Sequence, residues 1–265
     1  MKAALGSVVL LVLLFFLLRV FARSIIFPRP HVPMPSESEL ANQSPNARLV
    51  PYEAAEGISS KGIVVRASRG SDAQVLYFHG NAESAAQNRP LADELAREGI
   101  DTFLAEYRGY SGLPGRPTEA GLNEDAVAAL EAFRGSGSPQ PLILVGRSLG
   151  TGVAVELARR NPPHLLILVS PYTSLVDMGR SLAGPLAPAL VPDRFDNLSK
   201  IPALTCPVVI IHGTADEVVP FEMGRRLAAA GRSVRFIPLE GRSHNDIPEL
   251  GPLLVAEIRR ALAPR

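Results

Sequence analysis

The sequence predicts an α/β domain built on a mainly parallel, doubly wound sheet. Two observations carry this prediction. Short apolar runs alternate along the chain with stretches that have the apolar spacing of helices. The runs are apolar throughout rather than at every second position, which is typical of strands covered by helices on both faces. With 265 residues, the chain is long enough for one such domain with a substantial core and an N-terminal extension.

The predicted elements follow one another in the order that parallel pairing with right-handed crossovers requires. An opening strand or hairpin is expected over residues 58–67. Further strands are predicted at 75–78, 102–105, 142–145, 165–169, 208–211 and 234–239. Helices are predicted at 91–98, 122–133, 153–160, 223–230 and 253–262, where strong helix formers dominate.

The N-terminus carries an uncharged run of Leu, Val and Phe over residues 3–18, followed by Arg19. We therefore divide the chain into a hydrophobic membrane anchor or signal segment at 1–22, a Pro-rich linker at 23–51 and the domain at 52–265. The run is slightly short for a full span, but Arg19 can snorkel and extend it. A single-pass anchor is favoured, and a core helix is the least favoured interpretation because no polar face is present.

The orientation of that anchor follows from the arginines after it. Arg19, Arg23 and Arg29 outnumber the single Lys2 before it, which favours a domain on the cytoplasmic side of the membrane. A cleaved signal peptide is the alternative, and it would make the domain secreted or periplasmic. The linker at 23–51 is expected to stay extended because of its prolines.

Composition excludes several function classes. The net charge is +1 and no basic block is present, so no nucleic-acid partner is expected. No group of His, Cys or carboxylate residues has the spacing of metal ligands, and no glycine loop of the phosphate-binding kind occurs. We therefore expect neither a cofactor nor a metal. The single Cys206 excludes an internal disulfide.

The most informative motif is Gly-Arg-Ser-Leu-Gly at residues 146–150, centred on Ser148. An apolar strand runs into it and a helix-compatible stretch leaves it, which is the context of a strained turn that exposes a serine hydroxyl. A similar stretch, Gly-Arg-Ser-Leu-Ala around Ser181, follows no strand and is flanked by prolines. Ser148 is therefore the candidate nucleophile.

A serine hydroxyl needs a base, and the base needs an acid that orients it. In this architecture the order along the chain is serine, acid, histidine. Asp216 follows the predicted strand at 208–211, and His244 lies beyond the strand at 234–239. They are the candidate acid and base, with Asp177 as the rival acid. His79 and His212 end strands and are expected to be buried core residues.

A tetrahedral intermediate needs backbone donors for its oxyanion. The N–H of Leu149, directly after the nucleophile, is one candidate. The N–H of Asn81 is the second, because its loop follows the strand at 75–78 and would face the serine turn. An ordinary turn with Asn81 as a helix cap is the alternative.

The alternation of predicted strands and helices is interrupted between residues 172 and 204. This interruption predicts a small apolar cap over the cleft that contains the candidate nucleophile. Tyr172, Leu182 and Leu186 are then candidate substrate contacts, and Tyr110 would rim the site from the loop after another strand. Ordinary helix packing requires the same apolar residues and stays an alternative. If the segment is a cap, the acyl group that it covers is aliphatic.

Four segments resemble one family when they are taken together. They are HGNAE at 79–83, EYRGYSG at 106–112, GRSLG at 146–150, and HGTAD at 212–216 with SHN at 243–245. They resemble the α/β-hydrolase group that contains the bud-emergence-related hydrolases and the membrane-associated depalmitoylases. The resemblance covers about residues 52–262 and implies the α/β-hydrolase fold, with Ser148 as nucleophile, Asp216 as acid and His244 as base.

Two departures limit what the resemblance implies. The depalmitoylases carry a cysteine-rich, lipid-modified N-terminus, whereas this chain has no cysteine before Cys206. Glu83 stands where many relatives have a small residue. The expected function is a serine hydrolase that cleaves an ester or thioester of a lipid-like or other acyl substrate through an acyl-enzyme. A serine peptidase or aminopeptidase on the same triad, and a non-catalytic membrane-bound binding module, are the alternatives.

Overall fold

A computed structural model of the protein describes residues 2–29, 32–136 and 140–264. It contains one eight-stranded sheet in the order β1-β2-β4-β3-β5-β6-β7-β8. The strands are β1 (Ala47–Ala54), β2 (Ile58–Val65), β3 (Ala73–Phe78), β4 (Ile100–Ala105), β5 (Leu142–Arg147), β6 (Leu165–Val169), β7 (Val208–Gly213) and β8 (Val234–Leu239). β1 and β2 pair antiparallel, β2 pairs antiparallel with β4, and every other pairing is parallel. The predicted mainly parallel sheet is confirmed.

Helices cover both faces of this sheet. The helices are α1 (Lys2–Ile26), α2 (Glu37–Gln43), α3 (Arg89–Arg97), α4 (Glu119–Gly135), α5 (Gly150–Arg160), α6 (Leu175–Ala183), α7 (Ala187–Leu190), α8 (Asn197–Lys200), α9 (Phe221–Ala230) and α10 (Leu250–Leu262). Apolar residues of α4, α5 and α9 form the core on one face. Those of α3 and α10 form the core on the other face. This is the doubly wound arrangement that the strand–helix alternation predicts.

The segment expected to be an extended linker instead contains α2 and most of β1. Ser36 and Glu39 form a capping box that starts α2, and Leu40 is buried against the domain. Pro51 lies within β1, which is the edge strand of the sheet. A proline is tolerated there because an edge strand has one side on which its N–H groups need no partner.

The N-terminal helix α1 packs its last turns against the domain. Arg23 forms an ion pair with Asp193 (Nε to Oδ2, 2.7 Å), and Arg19 donates to the carbonyl of Ala189. Within the described ranges, no helix is both long enough and apolar enough to cross a membrane. The structure therefore gives no support to the membrane span that the sequence predicts.

The interval between β6 and β7 is helical, as the cap prediction requires. It contains α6, α7 and α8, with a small cluster of buried apolar residues that includes Val176 and Val191. Ile26, at the end of α1, packs against the same cluster. We call this helical interval the cap below, and Ile26 of the N-terminal segment packs on it.

The carboxyl ends of the parallel strands all lie at one edge of the sheet. The chain leaves β3 through α3 toward β4, and it leaves β5 through α5 toward β6, on the opposite side. The loops after β3 and β5 therefore diverge and leave a crevice between them, which is where ligands bind in open α/β sheets.

Candidate active site

Ser148 occupies a strained turn between β5 and α5. Its φ of 49° lies in the left-handed region that residues with a side chain rarely adopt. Its N–H donates to the carbonyl of Val169 at 2.9 Å, which holds the turn against the neighbouring strand. A Cβ at Gly146 would lie 2.5 Å from the carbonyl oxygen of Gly150, and one at Gly150 would lie 2.1 Å from that of Phe78. Both glycines are therefore sterically required.

His244 and Asp216 complete a hydrogen-bonded chain with this serine. His244 Nε2 lies 3.1 Å from Ser148 Oγ, and His244 Nδ1 lies 2.8 Å from Asp216 Oδ2. His244 stands beyond β8 and Asp216 beyond β7, so the ends of three neighbouring strands bring the three side chains together. The geometry permits Nδ1–H to donate to the carboxylate while Nε2 accepts from the hydroxyl.

Asp216 is held as an anion by four donors. Its Oδ1 accepts from the N–H groups of Val218 (3.0 Å) and Val219 (2.7 Å). Its Oδ2 faces His244 and also His212 Nε2, at 3.3 Å, and that nitrogen is shared with the Val219 carbonyl at 3.0 Å. Burial alone would raise the pKa of this carboxyl, but the bonds from His212, His244 and Val219 hold the pKa well below its usual range. Sequence reasoning placed His212 in the core but did not find this contact.

The two candidate oxyanion donors lie on either side of the serine. Leu149 directly precedes α5, and Asn81 lies in the loop after β3. The adjoining Gly80 is close enough that a Cβ built on it would lie 3.6 Å from Ser148 Cβ. Among the described residues, no acceptor is bonded to the backbone N–H of Asn81 or of Leu149. Free N–H groups beside a nucleophile are what an oxyanion hole requires.

A cavity of about 370 Å³ opens at this serine. Its polar lining comes from the serine, from His244 and from the loops after β3 and β8. Its apolar lining consists of Ile26, Leu149, Tyr172, Leu175, Met178, Val218 and Val219. The cavity is therefore apolar on the side of the cap and polar near the nucleophile, as expected of a pocket that binds an amphipathic small molecule.

Of the four predicted substrate contacts, the structure places Tyr172 at the cavity and the other three outside its lining. Tyr172 lines the cavity. Tyr110 is completely buried and packs against the His79 ring, with 5.8 Å between ring centroids. Leu182 and Leu186 point outward and are 83% and 64% exposed, outside the cavity lining.

The rival acid Asp177 lies away from the histidine. It accepts from Thr173 and pairs with Arg180 within and beside α6. Its own N–H bonds to the Ser174 hydroxyl, which caps that helix. These contacts explain the position of Asp177 by helix capping and leave Asp216 as the carboxylate beside His244.

Sequence reasoning missed two features of the cavity. Ile26 lines it from the end of α1, and the Asn81 side chain donates to the Ile26 carbonyl at 3.3 Å. Arg147 pairs with Glu83 on the loop after β3, and it also donates to His244 O and Asn245 Oδ1 on the loop after β8. The position of Arg147 inside the serine motif was the available signal for the second feature, while the first depends on tertiary packing.

A second histidine–carboxylate pair lies below the loop after β3. His79 Nε2 is 2.8 Å from Glu106 Oε1, and both side chains are fully buried. Burial alone would lower the pKa of His79, but the Glu106 carboxylate and a bond to the Gly80 carbonyl raise it above the ordinary value. The predicted burial of His79 is confirmed.

A family model described as serine aminopeptidase, S33, matches residues 69–194. Together with the relatives below, it shows that the chain belongs to the α/β-hydrolase family. The match spans the loop after β3, the serine turn and the start of the cap, but it ends before Asp216 and His244.

Three relatives match beyond that range. An uncharacterized protein of Mycobacterium tuberculosis, Rv2307c, is 38% identical over 91% of this chain and 86% of its own length. The human alpha/beta hydrolase domain-containing protein 17B is 37% identical over 72% of this chain and 66% of its own length. The zebrafish (Danio rerio) lysophosphatidylserine lipase ABHD12 is 31% identical over 72% of this chain, which spans 59% of that protein.

Solved structures agree with the fold. The esterase PF2001 of Pyrococcus furiosus superposes with a TM-score of 0.70 over 89% of this chain and 96% of that one, at 17% sequence identity. At this identity the likeness concerns the fold alone. It confirms the α/β-hydrolase fold that the motifs imply.

Proposed function

We propose that the protein is a serine hydrolase that cleaves carboxylic esters or thioesters of lipid-like acyl groups, with Ser148 as nucleophile, His244 as base and Asp216 as acid. Within its family we place it beside the bud-emergence-related and depalmitoylase-like hydrolases, on the four segments that the sequence shares with them. The observation that carries the proposal is the unbroken Ser148–His244–Asp216 hydrogen-bond chain at the mouth of a largely apolar cavity.

In the acylation step, His244 Nε2 takes the proton from Ser148 Oγ as the oxygen attacks the carbonyl carbon. Asp216 orients the imidazole and stabilises the imidazolium that forms. The negative charge that develops on the carbonyl oxygen is bound by the N–H groups of Asn81 and Leu149. The imidazolium then protonates the leaving alcohol or thiol, and the carbon–oxygen or carbon–sulfur bond breaks.

Water completes the cycle by the same chemistry. His244 takes a proton from a water molecule, whose oxygen attacks the acyl-enzyme carbonyl. The same two N–H groups bind the second oxyanion. The proton returns to Ser148 Oγ as the carboxylic acid leaves, so the enzyme is restored without a cofactor.

The lining of the cavity favours an acyl ester over an aminopeptidase substrate. An aminopeptidase needs a free carboxylate near the nucleophile to bind the ammonium group of its substrate. Among the described lining residues the one carboxylate is Glu83, and its charge is paired with Arg147. The apolar wall suits an aliphatic acyl chain. The relative named as a lysophosphatidylserine lipase supports a lipid-like ester.

The test uses the purified full chain, a fluorophosphonate probe and a series of p-nitrophenyl esters. We expect labelling and ester turnover in the wild type and in Ser181→Ala, since Ser181 is an exposed α6 residue whose hydroxyl donates to the carbonyl of Met178 within the same helix. Ser148→Ala should lose labelling and several orders of magnitude in turnover. Ester turnover near the wild-type rate in Ser148→Ala would contradict the proposal.

Two further series of substrates, each an arm of the test, distinguish an esterase from a peptidase and from a thioesterase. Aminoacyl amides matched to the esters in side chain test for a peptidase, and acyl thioesters of the same chain lengths test the thioester branch. We expect thioesters and esters to be cleaved and aminoacyl amides to be resistant. A folded wild type that is neither labelled nor active on any arm would indicate a binding module.

A further inference from the structure

Each ring nitrogen of His79 faces an oxygen that accepts a hydrogen bond when the Glu106 carboxyl is ionised. Its Nε2 faces Glu106 Oε1 at 2.8 Å, and its Nδ1 faces the backbone oxygen of Gly80 at 2.7 Å. The side chain has no exposed surface, and the Tyr107 ring stacks on it with 4.2 Å between centroids. A neutral imidazole carries one N–H and would leave one of these two contacts without a proton.

We infer that His79 is a buried imidazolium that positions the Asn81 N–H for the oxyanion. The inference rests on the proposed function, because it assigns His79 a role in the same reaction. His79 touches no reacting atom in this scheme and is a positioning residue. Its partner Glu106 supplies the counter-charge that makes a buried cation tolerable.

The mechanical link is a single peptide unit. The Gly80 carbonyl and the Asn81 N–H belong to one planar amide, and no cis peptide bond occurs among the described residues. The two groups point in opposite directions across a trans amide. A hydrogen bond from His79 that fixes the Gly80 oxygen therefore fixes the direction of the Asn81 N–H. Donation by a cation also polarises the amide and makes that N–H a stronger donor.

Glu106 is itself fixed by four donors. Its Oε1 accepts from His79 and from the N–H of Tyr107, at 3.0 Å. Its Oε2 accepts from the N–H of Ala85 (3.0 Å) and from the Ser111 hydroxyl (2.6 Å). Burial alone would raise the pKa of Glu106, but His79 and these donors hold it below the ordinary value. These four donors favour the carboxylate form of Glu106, and the carboxylate in turn favours the imidazolium form of His79.

Burying an ion pair costs desolvation free energy, and apolar residues of similar volume often stabilise a core equally well. This pair lies directly beneath the loop that carries Asn81, and the rings of Tyr107 and Tyr110 pack against His79. The Asn81 N–H of this loop must point at the oxyanion, so the location of the pair agrees with a positioning role.

The experiment compares two isosteric replacements in the full chain, His79→Gln and His79→Asn. The amide nitrogen of asparagine falls near the position of Nδ1 and can still donate to Gly80 O. The amide nitrogen of glutamine falls near Nε2, so it can bond to Glu106 but leaves Gly80 O without its donor. Both variants lose the charge, and both melting temperatures are measured so that folding is controlled.

We expect His79→Gln to lower kcat on the preferred ester roughly 10- to 100-fold with KM nearly unchanged, part of the 10²–10³ that removal of one oxyanion donor costs. His79→Asn should recover most of that loss. Affinity for an aliphatic trifluoromethyl ketone, which forms a tetrahedral adduct on the serine, should fall with kcat. Equal kcat in the two variants, or a loss in KM alone, would overturn the inference.

A second measurement does not need turnover. Nitrogen-15 NMR of His79 in Ser148→Ala should show protons on both ring nitrogens at about pH 8, well above the ordinary histidine pKa of about 6.5. One protonated nitrogen would overturn the inference even if the wild type proved inactive. An active wild type with a neutral His79 would leave the proposed function standing and remove this role alone.

Discussion

Two of the histidine–carboxylate pairs that the structure describes, His244–Asp216 and His79–Glu106, lie at the same edge of the sheet. In each, the carboxylate accepts from four donors and one ring nitrogen of the histidine contacts it at 2.8 Å. The pairs differ in what the other ring nitrogen meets. His244 faces the Ser148 hydroxyl, whereas His79 faces the Gly80 carbonyl.

That difference decides the chemistry of each pair. A hydroxyl can donate or accept, so His244 is able to take a proton and to return it. A carbonyl only accepts, so His79 must keep its proton to hold both contacts. His244 also lines the cavity, while His79 has no path to substrate. The proton on His244 therefore moves during the reaction, whereas the proton on His79 stays in place.

The largest effect is expected when the His244–Asp216 pair, whose proton moves during the reaction, is disrupted. Asp216→Asn should lower kcat by roughly 10³- to 10⁴-fold, because the amide no longer enforces the tautomer that leaves Nε2 free to accept. The measurement is ester turnover with melting temperature as a check on folding. Asp177→Asn is the matched control and should keep its rate. Comparable losses in both variants would show that Asp216 is not the orienting acid.

A change in the His79–Glu106 pair, which we call the fixed pair because its proton stays in place, should lower kcat less. Glu106→Gln keeps the shape of the side chain but removes the counter-charge, so His79 becomes neutral. Either Nδ1 then has no proton for the Gly80 carbonyl, or the glutamine NH2 turns to Nε2 and opposes the Tyr107 N–H. We expect kcat to fall about tenfold with a lowered melting temperature, within the range for a partly lost oxyanion donor. A kcat loss as large as that of Asp216→Asn would mean that the two pairs do not differ in role.

Arg147 connects the two regions and should have a smaller effect still. Its guanidinium joins Glu83, on the loop of the fixed pair, to the loop that carries His244. Arg147→Met should lower kcat several-fold, about 1 kcal/mol in the barrier, as expected for the loss of a partly exposed ion pair. The matched control is Arg180→Met, at the same place in the second Gly-Arg-Ser-Leu stretch. Equal turnover in both would remove Arg147 from this link.

The smallest effect is on stability. A histidine with a raised folded pKa stabilises the protein below its unfolded pKa of about 6.5, and that stability is lost as pH rises through the folded value. Glu106 has a lowered pKa and stays ionised across this window. Tyr107 and Tyr110, which also face the ring, have raised pKa values and stay neutral.

Urea unfolding between about pH 6 and pH 9 measures this contribution. The free energy of unfolding of the wild type should fall relative to that of His79→Asn as pH rises, since only the wild type carries the titrating group. A constant difference across this window would show that the pKa of His79 is the same in the folded and unfolded states, which would contradict a buried imidazolium.

Much of the site could be predicted because parallel strands end at a common edge. Ser148, Asp216 and His244 each follow a strong apolar run, so their convergence required only the strand order. The contact between His79 and Glu106 could not be predicted, because it depends on how the loops after β3 and β4 fold. Sequence reasoning identified His79 as a buried core residue but did not find its contact with Glu106.

The N-terminal part was predicted least well for a different reason. Six prolines between Pro28 and Pro51 suggested an extended linker, yet Ser36 and Glu39 start a helix there. Local capping outweighed composition, and the edge position of β1 accommodated Pro51. Ile26 lines the cavity only because α1 packs on the cap, which no local pattern encodes.

That position of Ile26 has a practical consequence for anyone who shortens or fuses this protein. A chain trimmed to begin at Tyr52, where the sequence alone suggests a boundary, would lose one wall of the cavity. It would also lose the carbonyl that receives the Asn81 side chain. Kinetics measured on such a fragment would describe a wider pocket with an unsupported loop, and an engineer who wishes to admit bulkier acyl chains could use that opening deliberately.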